Sequence, residues 1–485
     1  MSFASYDFLF HFLPFALAVV LVADRIDRER LLLPALILVS GVFYGMGSVP
    51  HLILLLSLIV VTWGVSRLYT RTQSTAWKRF ALTVGIGINI LALTVWKYGN
   101  SIVENWNTLG IAPVDSVSII MPLGISFYAF QQVGYLLDLR RGRANWMGAT
   151  DYLAFVLFFP QLLAGPIVTE KRMSREFAKV RRGVPLEARL DMALLGVAWF
   201  AMGLFKKVVM SDGLGRIVAP LIDRAAFGEV TSPDAWLIAL AAPTRVYFDF
   251  CGYSDMAVGL ALLVGIRIPA NFNAPFRAKT SRQFWARWHI TFHHFVRDHL
   301  YGPMIRATQG WRFGAGISLM VAVAISSVWH GSTVQFLLWG VFVWLSIVVT
   351  GAVFGFLPEL ARRIAMLVVT AALFMIMGVL FTTPSLDTAT RVMAAMVSPS
   401  DALSALDRRT LLNIGIMAAA LLYVRNEIST QVLLEAGHTH RDRHMFGWRP
   451  PVFGVNLGWA VALAVLLLVS FHFVGRSPDF VYFAI

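Results

Sequence analysis

A histidine between two apolar runs is the first residue of this chain that could do chemistry. His330 lies in the stretch AISSVWHGSTVQFLLWG, with Trp329 before it and Gly331 after it. An ionisable side chain inside an apolar segment is costly, so it is a functional hypothesis by default. Imidazole titrates near neutral pH and can act as a general acid or base. The alternative left open is a histidine that only packs between helices and hydrogen-bonds a neighbouring carbonyl.

A second group of candidate residues lies in SRQFWARWHITFHHFVRDHLYGP (281–303), which holds four of the eleven histidines: His289, His293, His294 and His299. In a helix, His289 and His293 would share a face, a spacing that can bind zinc. The helical zinc motif of metalloproteases also needs a glutamate directly after the first histidine, and Ile290 occupies that position. We therefore expect no metal site. An amphipathic helix anchored at a membrane interface by its tryptophans and arginines is the other interpretation.

Two acidic residues form the third candidate group. Asp249 and Asp255 lie in RVYFDFCGYSDMAVG, an otherwise apolar segment in which Tyr253 could satisfy hydrogen bonds. Carboxylates in such a segment are too costly to be incidental. They could orient a histidine, line a polar channel or pair with a buried arginine such as Arg245. Purely structural pairing is an equally open alternative.

The elements that must position these residues are predicted to be transmembrane helices. Of the 485 residues, 58% are hydrophobic and only 14% are charged, whereas soluble domains have about 25% charged residues. The net charge of +14 is then explained by basic loops on one side of a membrane, and nucleic acid is not an expected partner. Cys251 is the only cysteine, which excludes an intrachain disulfide.

Apolar segments long enough to cross or enter a bilayer recur along the whole chain. They are predicted near 5–23, 31–50, 51–68, 80–96, 118–137, 151–168, 190–210, 234–266, 313–330, 333–357, 364–382, 410–424 and 452–474. Basic clusters between them are assigned to the cytoplasm, which places both termini outside. The clusters lie at 25–30, 67–79, 140–143, 171–189, 362–363 and 441–449.

The segment 151–168 breaks the alternation, because basic clusters lie on both of its flanks. It also contains Pro160, Gly165 and Pro166, and proline breaks helices. A re-entrant element that enters the membrane and returns would explain both observations. Broken backbone at membrane depth needs protein or a water-filled cavity around it, so we expect a cavity near 155–168.

Taken together, these stretches resemble the membrane-bound O-acyltransferase (MBOAT) family, and in particular its bacterial branch. That branch includes alginate and peptidoglycan O-acetyltransferases and the D-alanyl exporter of teichoic acids. The matching stretches occur in family order across most of the chain. They are PLGISFYAFQQVGYLLDL (122–139), FFPQLLAGPI (158–167), YFDFCGYSDMAVGL (247–260), NFNAPF (271–276), FWARWHITFHHFVRDHLY (284–301) and WHG (329–331).

The resemblance implies an all-α polytopic fold, a ring of tilted helices around a central tunnel with re-entrant and interfacial helices. It implies that His330 is the invariant family histidine and that His289 is the second catalytic position, which would help to position the donor or protonate its sulfur. The supporting residues are then Asp249, Asp255, Trp329, Tyr253 and Asn273. The arginines of the second group could meet the phosphates of a nucleotide-bearing acyl donor, so the predicted donor-binding residues are Arg282, Arg287, Trp288 and Arg297.

The resemblance also gives a role to the C-terminal stretch SPDFVYFAI. Members of this branch, or their small partner subunits, are similar in ending with an aromatic–tyrosine–aromatic motif whose tyrosine is thought to carry the acyl group outward. Tyr482 occupies that position. Its phenol needs a base to become a nucleophile, and His330 could supply it. A tail that only anchors at the membrane interface is the alternative.

We therefore predict one polytopic membrane domain, 1–485, with N-terminal helices at 1–117, a catalytic core at 118–357 and C-terminal helices with an external tail at 358–485. It is expected in the bacterial inner membrane, where it moves an acyl group from a cytoplasmic thioester such as acetyl-CoA to an external hydroxyl. No cofactor is expected, and the expected partners are a periplasmic acetyltransferase and an envelope polymer, either an exopolysaccharide or peptidoglycan. A transporter or flippase, or a non-catalytic scaffold of an export complex, is the alternative.

Overall fold

Helices make up all the regular structure in the residues that the computed structural model describes, which are 1–109, 118–278, 280–352, 358–398, 408–425 and 456–475. The α-helices are α1 (Leu13–Gly45), α2 (Val49–Arg71), α3 (Thr75–Thr108), α4 (Ile125–Arg140), α5 (Ala149–Leu157), α6 (Phe159–Leu162), α7 (Glu170–Arg182), α8 (Leu186–Phe205), α9 (Asp212–Ala226), α10 (Ser232–Leu263), α11 (Ser281–Arg287), α12 (Ile290–Val296), α13 (Gly302–Ala307), α14 (Gly314–His330), α15 (Val334–Ala352), α16 (Glu359–Thr382), α17 (Leu386–Val397), α18 (Arg408–Arg425) and α19 (Leu457–Phe473). Three π-helical segments and one 3₁₀ turn join them: Asp7–Phe12, Lys206–Ser211, Arg297–Tyr301 and Pro275–Arg277.

Six of the described helical stretches are long and apolar enough to cross a membrane. They are Asp7–Gly45, Val49–Arg71, Thr75–Thr108, Leu186–Ala226, Ser232–Leu263 and Ile364–Thr382. The predicted all-α polytopic membrane protein is therefore confirmed. The ring of helices around a tunnel and the division into 1–117, 118–357 and 358–485 stay predictions.

The first long helix joins two segments that the sequence separates. Asp7–Gly45 has 39 residues, which at 1.5 Å per residue would be roughly 58 Å, about twice the thickness of a bilayer core. Asp27 interrupts it with φ −156° and ψ 89°, outside the helical region. The break coincides with the charged run between the predicted segments 5–23 and 31–50, and each half alone is about long enough to span.

The described chain forms two compact units. The first comprises Met1–Phe200 and Met256–Pro269, and the second Ala201–Asp255 and Ala270–Ile485. In the first unit, the break predicted within 151–168 is present, because Phe158 leaves the helical region between α5 and α6 and the helical turn ends at Leu162. The break frees the carbonyl of Phe155 from helical hydrogen bonding, and this carbonyl finds donors inside the protein. Gln131 Nε2 and Gln161 Nε2 both donate to it, at 3.1 and 2.5 Å. The re-entrant path through a membrane stays a prediction.

In the second unit, close packing of α14 on α15 fixes the position of the WHG stretch. A Cβ atom on Gly340 would lie only 2.0 Å from Ser327 Oγ, so glycine is required where the two helices approach. The indole of Trp344 donates to the carbonyl of Gly316 at 3.1 Å, farther along the same pair. These contacts hold α14 so that His330, its last residue, lies at the turn between the helices.

Candidate active site

His330 lies in a box of aromatic rings at the end of α14. Its imidazole is 4.5 Å from the ring of Trp329, 5.0 Å from Trp339 and 5.1 Å from Phe381, measured between centroids. The residue is only 8% exposed. A side chain held on several sides by rings has few rotamers, which is the preorganisation that a catalytic base needs.

Gly331 is required beside this histidine because another ring occupies the space that a side chain would need. A Cβ atom at this position would lie 2.2 Å from Cε2 of Phe336. Phe336 in turn packs against Phe381 with their ring centroids 5.6 Å apart. The glycine therefore lets the aromatic box close around His330.

His289 sits immediately before α12 in an unusual backbone conformation. Its φ of +44° lies in the left-handed region, where a non-glycine residue is uncommon and strained. Asn271 holds it there, because the Ile290 amide donates to the Asn271 carbonyl at 2.8 Å and His289 Nδ1 lies 3.0 Å from Asn271 Oδ1. The imidazole also stacks on Phe292 at 5.0 Å and meets the edge of Phe250 at 4.6 Å.

Both imidazoles line one cavity of about 500 Å³ in the second unit. Its walls are largely apolar and aromatic, and none of its lining residues comes from 155–168, where the sequence suggested a cavity. The ring of Trp329 lies near both histidines, 4.5 Å from that of His330 and 6.4 Å from that of His289. The structure thus brings together the two predicted catalytic histidines and the predicted supporting tryptophan.

Three of the four predicted donor-binding residues line the same cavity: Arg282, Trp288 and Arg297. The guanidinium of Arg297 forms two hydrogen bonds to Asp298, at 2.8 and 3.1 Å, and these raise the pKa of the arginine. Arg287 is not among the lining residues. It donates to the carbonyl of Asn273 at 3.4 Å, so these two predicted residues contact each other outside the cavity wall.

The two predicted acids form ion pairs with lysines of the π-helical segment Lys206–Ser211. Lys206 Nζ lies 2.7 Å from Asp255, and Lys207 Nζ lies 2.8 Å from both Asp249 and Asp212. All of these side chains are at most 2% exposed. Structural pairing, one of the alternatives left open above, is therefore observed, but the partners in these ion pairs are lysines, whereas the sequence suggested an arginine.

Neither these acids nor Tyr253 is among the residues that line the cavity. Tyr253 is buried on α10. Tyr482 lies outside the described residues. The lysines were missed by sequence reasoning, although a signal was present: LLGVAWFAMGLFKKVVMS places two adjacent cations inside an apolar run.

The region 281–307 is not one amphipathic helix but a series of short helices, α11, α12 and α13, with a π-helical segment between the last two. His289 and His293 do not share a helical face as the spacing suggested, because His289 precedes α12 with a left-handed backbone and is buried, whereas His293 is exposed. Among the described residues, no group of three or more His, Cys, Asp or Glu side chains is placed to hold a metal ion.

Burial sets the protonation of His289. The loss of hydration, with a smaller contribution from the nearby His293, lowers the pKa of His289 to about 3. The imidazole is therefore neutral across the physiological range. A neutral imidazole can accept a hydrogen bond at one nitrogen while it donates at the other.

The neutral imidazole of His289 and the imidazole of His330 line one largely apolar cavity with arginines in its wall, which fits acyl transfer from an anionic donor. Sequence comparison gives the same class of enzyme. The family model for MBOAT, the membrane-bound O-acyltransferase family, matches residues 141–383 of this chain. This chain belongs to that family, and it is a membrane O-acyltransferase as predicted.

Several curated relatives are similar over most of the chain. A probable alginate O-acetylase AlgI of Azotobacter vinelandii is 34% identical, with 87% of this chain and 84% of the relative covered. A peptidoglycan O-acetyltransferase of Helicobacter pylori is 32% identical over 69% of this chain and 67% of its own length. A teichoic acid D-alanyltransferase of Streptococcus thermophilus is 25% identical over 48% of this chain and 58% of its own length.

Proposed function

We propose that this acyltransferase moves an acetyl group from a cytoplasmic thioester to a hydroxyl outside the membrane, for O-acetylation of a cell-surface polysaccharide or peptidoglycan. The observation that carries the proposal is that His289 and His330 line the same cavity. The relatives named as alginate O-acetylase and peptidoglycan O-acetyltransferase support acetyl as the group and an envelope polymer as its destination.

In the proposed reaction the acceptor hydroxyl attacks the thioester carbonyl. His330 takes the hydroxyl proton as the C–O bond forms, and the C–S bond then breaks to release a thiolate. The proton passes from His330 to that sulfur, so the imidazole is neutral again after each transfer. The apolar, aromatic wall excludes water, which would otherwise hydrolyse the thioester.

The donor side of the site is assigned to the residues that line the cavity around His289. Arg282 and Arg297 supply charge for the phosphates of a nucleotide-bearing thioester, and Trp288 supplies an apolar face. His289 positions the donor. Asp249 and Asp255, held by Lys207 and Lys206, act as support for the helices rather than as contacts of the substrate.

Tyr482 is the proposed first acceptor, which would carry the acetyl group as an aryl ester to a periplasmic transferase acting on the polymer. The proposal places the protein in the inner membrane with its tail on the external side. A phenol is a reasonable relay, because a phenolate is a good leaving group and its ester remains activated.

The test uses the full-length protein in bilayers with acetyl-CoA carrying a labelled acetyl group. After digestion, we expect label on the C-terminal peptide, and we expect it to be lost in both Tyr482→Phe and His330→Ala. The matched control is His472→Ala, an exposed histidine on α19 outside the cavity. It should retain the label.

Two results would change the proposal in different ways. Label retained in His330→Ala would remove the histidine from the reaction. Unlabelled protein together with normal polymer acetylation in a Tyr482→Phe strain would exclude the tyrosine relay and leave direct transfer to the polymer.

A further inference from the structure

The side chain of Asn271 contacts three other residues: His289, Thr291 and Ser254. Its side-chain oxygen, Oδ1, lies 3.2 Å from the backbone nitrogen of Thr291, 2.9 Å from Thr291 Oγ1 and 3.0 Å from His289 Nδ1. Its amide nitrogen donates to Ser254 Oγ on α10 at 3.3 Å. Asn271 itself is buried, so these contacts are sheltered from water.

The contact with Thr291 decides which atom of the Asn271 amide faces His289. A backbone N–H can only donate, so the side-chain atom that it meets must be the acceptor oxygen. An amide turned the other way would place two donors face to face at Thr291, whereas the Ser254 hydroxyl accepts the NH₂ group in the observed orientation.

The same oxygen then decides where the proton of His289 lies. An oxygen 3.0 Å from Nδ1 repels a lone pair and attracts an N–H group, so Nδ1 carries the proton. Because burial lowers the pKa of His289 to about 3, the ring carries only that one proton at neutral pH. Nε2 is therefore left as an acceptor.

We propose that Asn271 is a positioning residue that fixes His289 as the Nδ1–H tautomer, so that His289 serves the acyl transfer as a hydrogen-bond acceptor or base through Nε2. This inference rests on the proposed function for its role in transfer, and it deepens that function by excluding His289 as the group that protonates the donor sulfur. The tautomer itself does not depend on the function.

Nuclear magnetic resonance of the ¹⁵N-histidine-labelled protein in bilayers tests the tautomer without any turnover. The His289 signals are identified by their disappearance in His289→Gln. We expect a protonated Nδ1 and an unprotonated Nε2 in the wild type at pH 7. A protonated Nε2 would overturn the proposal, whatever the activity of the enzyme.

Two variants at position 271 then test the positioning role. Asn271→Leu removes the acceptor at similar size, and we expect acetyl transfer per folded molecule to fall roughly 10- to 100-fold with mixed tautomers. Asn271→Asp keeps the acceptor and should recover most of the rate and the Nδ1–H signal. Asn89→Leu, at a buried asparagine of the first unit that donates to Thr62, is the matched control and should change only stability.

Asn271→Asp also changes the pH profile in a way that lost packing would not. A carboxylate beside Nδ1 stabilises the imidazolium, so the pKa of His289 should rise from about 3 towards its usual value. His293, Arg282 and Arg297, which line the same cavity, oppose this rise. The acidic limb of the rate profile should therefore move to higher pH. An unmoved limb, or a wild-type rate and tautomer in Asn271→Leu, would contradict the proposal.

If the wild type transfers no acetyl group but shows the Nδ1–H signal, the proposed function fails and the assigned tautomer stands.

Discussion

Two groups of ionisable side chains lie within the second unit, and the protein treats them in opposite ways. His330 and His289 line a cavity and are contained by aromatic rings. Lys206 and Lys207 are sealed against carboxylates, each at most 2% exposed and within 2.8 Å of an acidic partner. The two histidines therefore face a space that can hold a ligand. Neither lysine is among the residues that line that space.

The difference separates two solutions to the cost of burying a titratable group. A neutral imidazole avoids the cost by not being charged, so it can stay available for proton transfer. A lysine and an aspartate offset the cost by pairing, which uses up their capacity to react. We therefore expect the cavity group to control the rate and the lysine group to control the stability.

The largest effect is expected for His330→Ala. Loss of a general base typically lowers a rate by about 10²- to 10⁴-fold, and the acetyl-transfer rate constant should fall by that factor. The midpoint of thermal unfolding in detergent should change little. The imidazole already faces the cavity, so its loss only enlarges a space that is present in the wild type. A large fall in that midpoint with normal activity per folded molecule would reverse the comparison.

The next effect is expected for Lys206→Met, which removes the lysine from the buried ion pair with Asp255. Breaking a buried ion pair typically costs about 3–5 kcal/mol. We expect a loss of this size in the free energy of unfolding, which can be measured in detergent. Acetyl transfer per folded molecule should stay close to that of the wild type.

The double variant Lys206→Met/Asp255→Leu is the matched control for this pair. Replacing both charges by apolar side chains of similar size should recover most of the lost stability, since no unpaired carboxylate remains. A double variant as unstable as the single one would show that the pair does more than neutralise itself.

A smaller effect is expected for Gly331→Ala. The new methyl group would meet Phe336 at 2.2 Å and force its ring to move, and overpacking of this kind typically costs about 1–3 kcal/mol. Because Phe336 packs on Phe381 and Phe381 packs on His330, both the stability and the transfer rate should fall. Gly316→Ala on α14, where a Cβ atom has no neighbour within 4 Å, is the control.

The smallest effect is expected for Arg282→Gln. An exposed guanidinium contributes at most about 1 kcal/mol to a contact with an anion, so the KM for acetyl-CoA should rise roughly threefold to fivefold with kcat unchanged. The rise should shrink as the salt concentration increases. Arg312→Gln, an exposed arginine outside the cavity, should leave KM unchanged. A fall in kcat alone would assign Arg282 to the chemical step.

The sequence predicts those features of the fold and the site that are determined by residues close together in the chain. The membrane-spanning segments and the break near Phe158 follow from apolar runs and from Pro160, which act on their own neighbours. His330 stands out because it lies between two apolar runs, whereas the catalytic role of His289 is implied by a resemblance carried by whole motifs. The structure places both side chains in the wall of one cavity.

The remaining features depend on contacts between residues far apart in the chain. Lys206 and Asp255 are separated by 49 positions, and nothing in the local pattern of either reveals the other. The motif NFNAPF offered two asparagines, and the sequence interpretation chose Asn273 as the supporting residue. The left-handed turn at His289, which no local pattern revealed, is what brings the ring against Asn271 instead.

The wide turn at Lys206–Ser211 makes the number of residues there as consequential as their identity. A π-helical turn arises when one extra residue is accommodated in an α-helix. Deleting one of these six positions would remove the extra residue and let an ordinary helix form, while the residues after the turn would keep nearly the facing that they have now. The lysines inside the turn would shift against their separate acids, so a deletion here should act on the ion pairs of Lys206 and Lys207 rather than on the path of the helix.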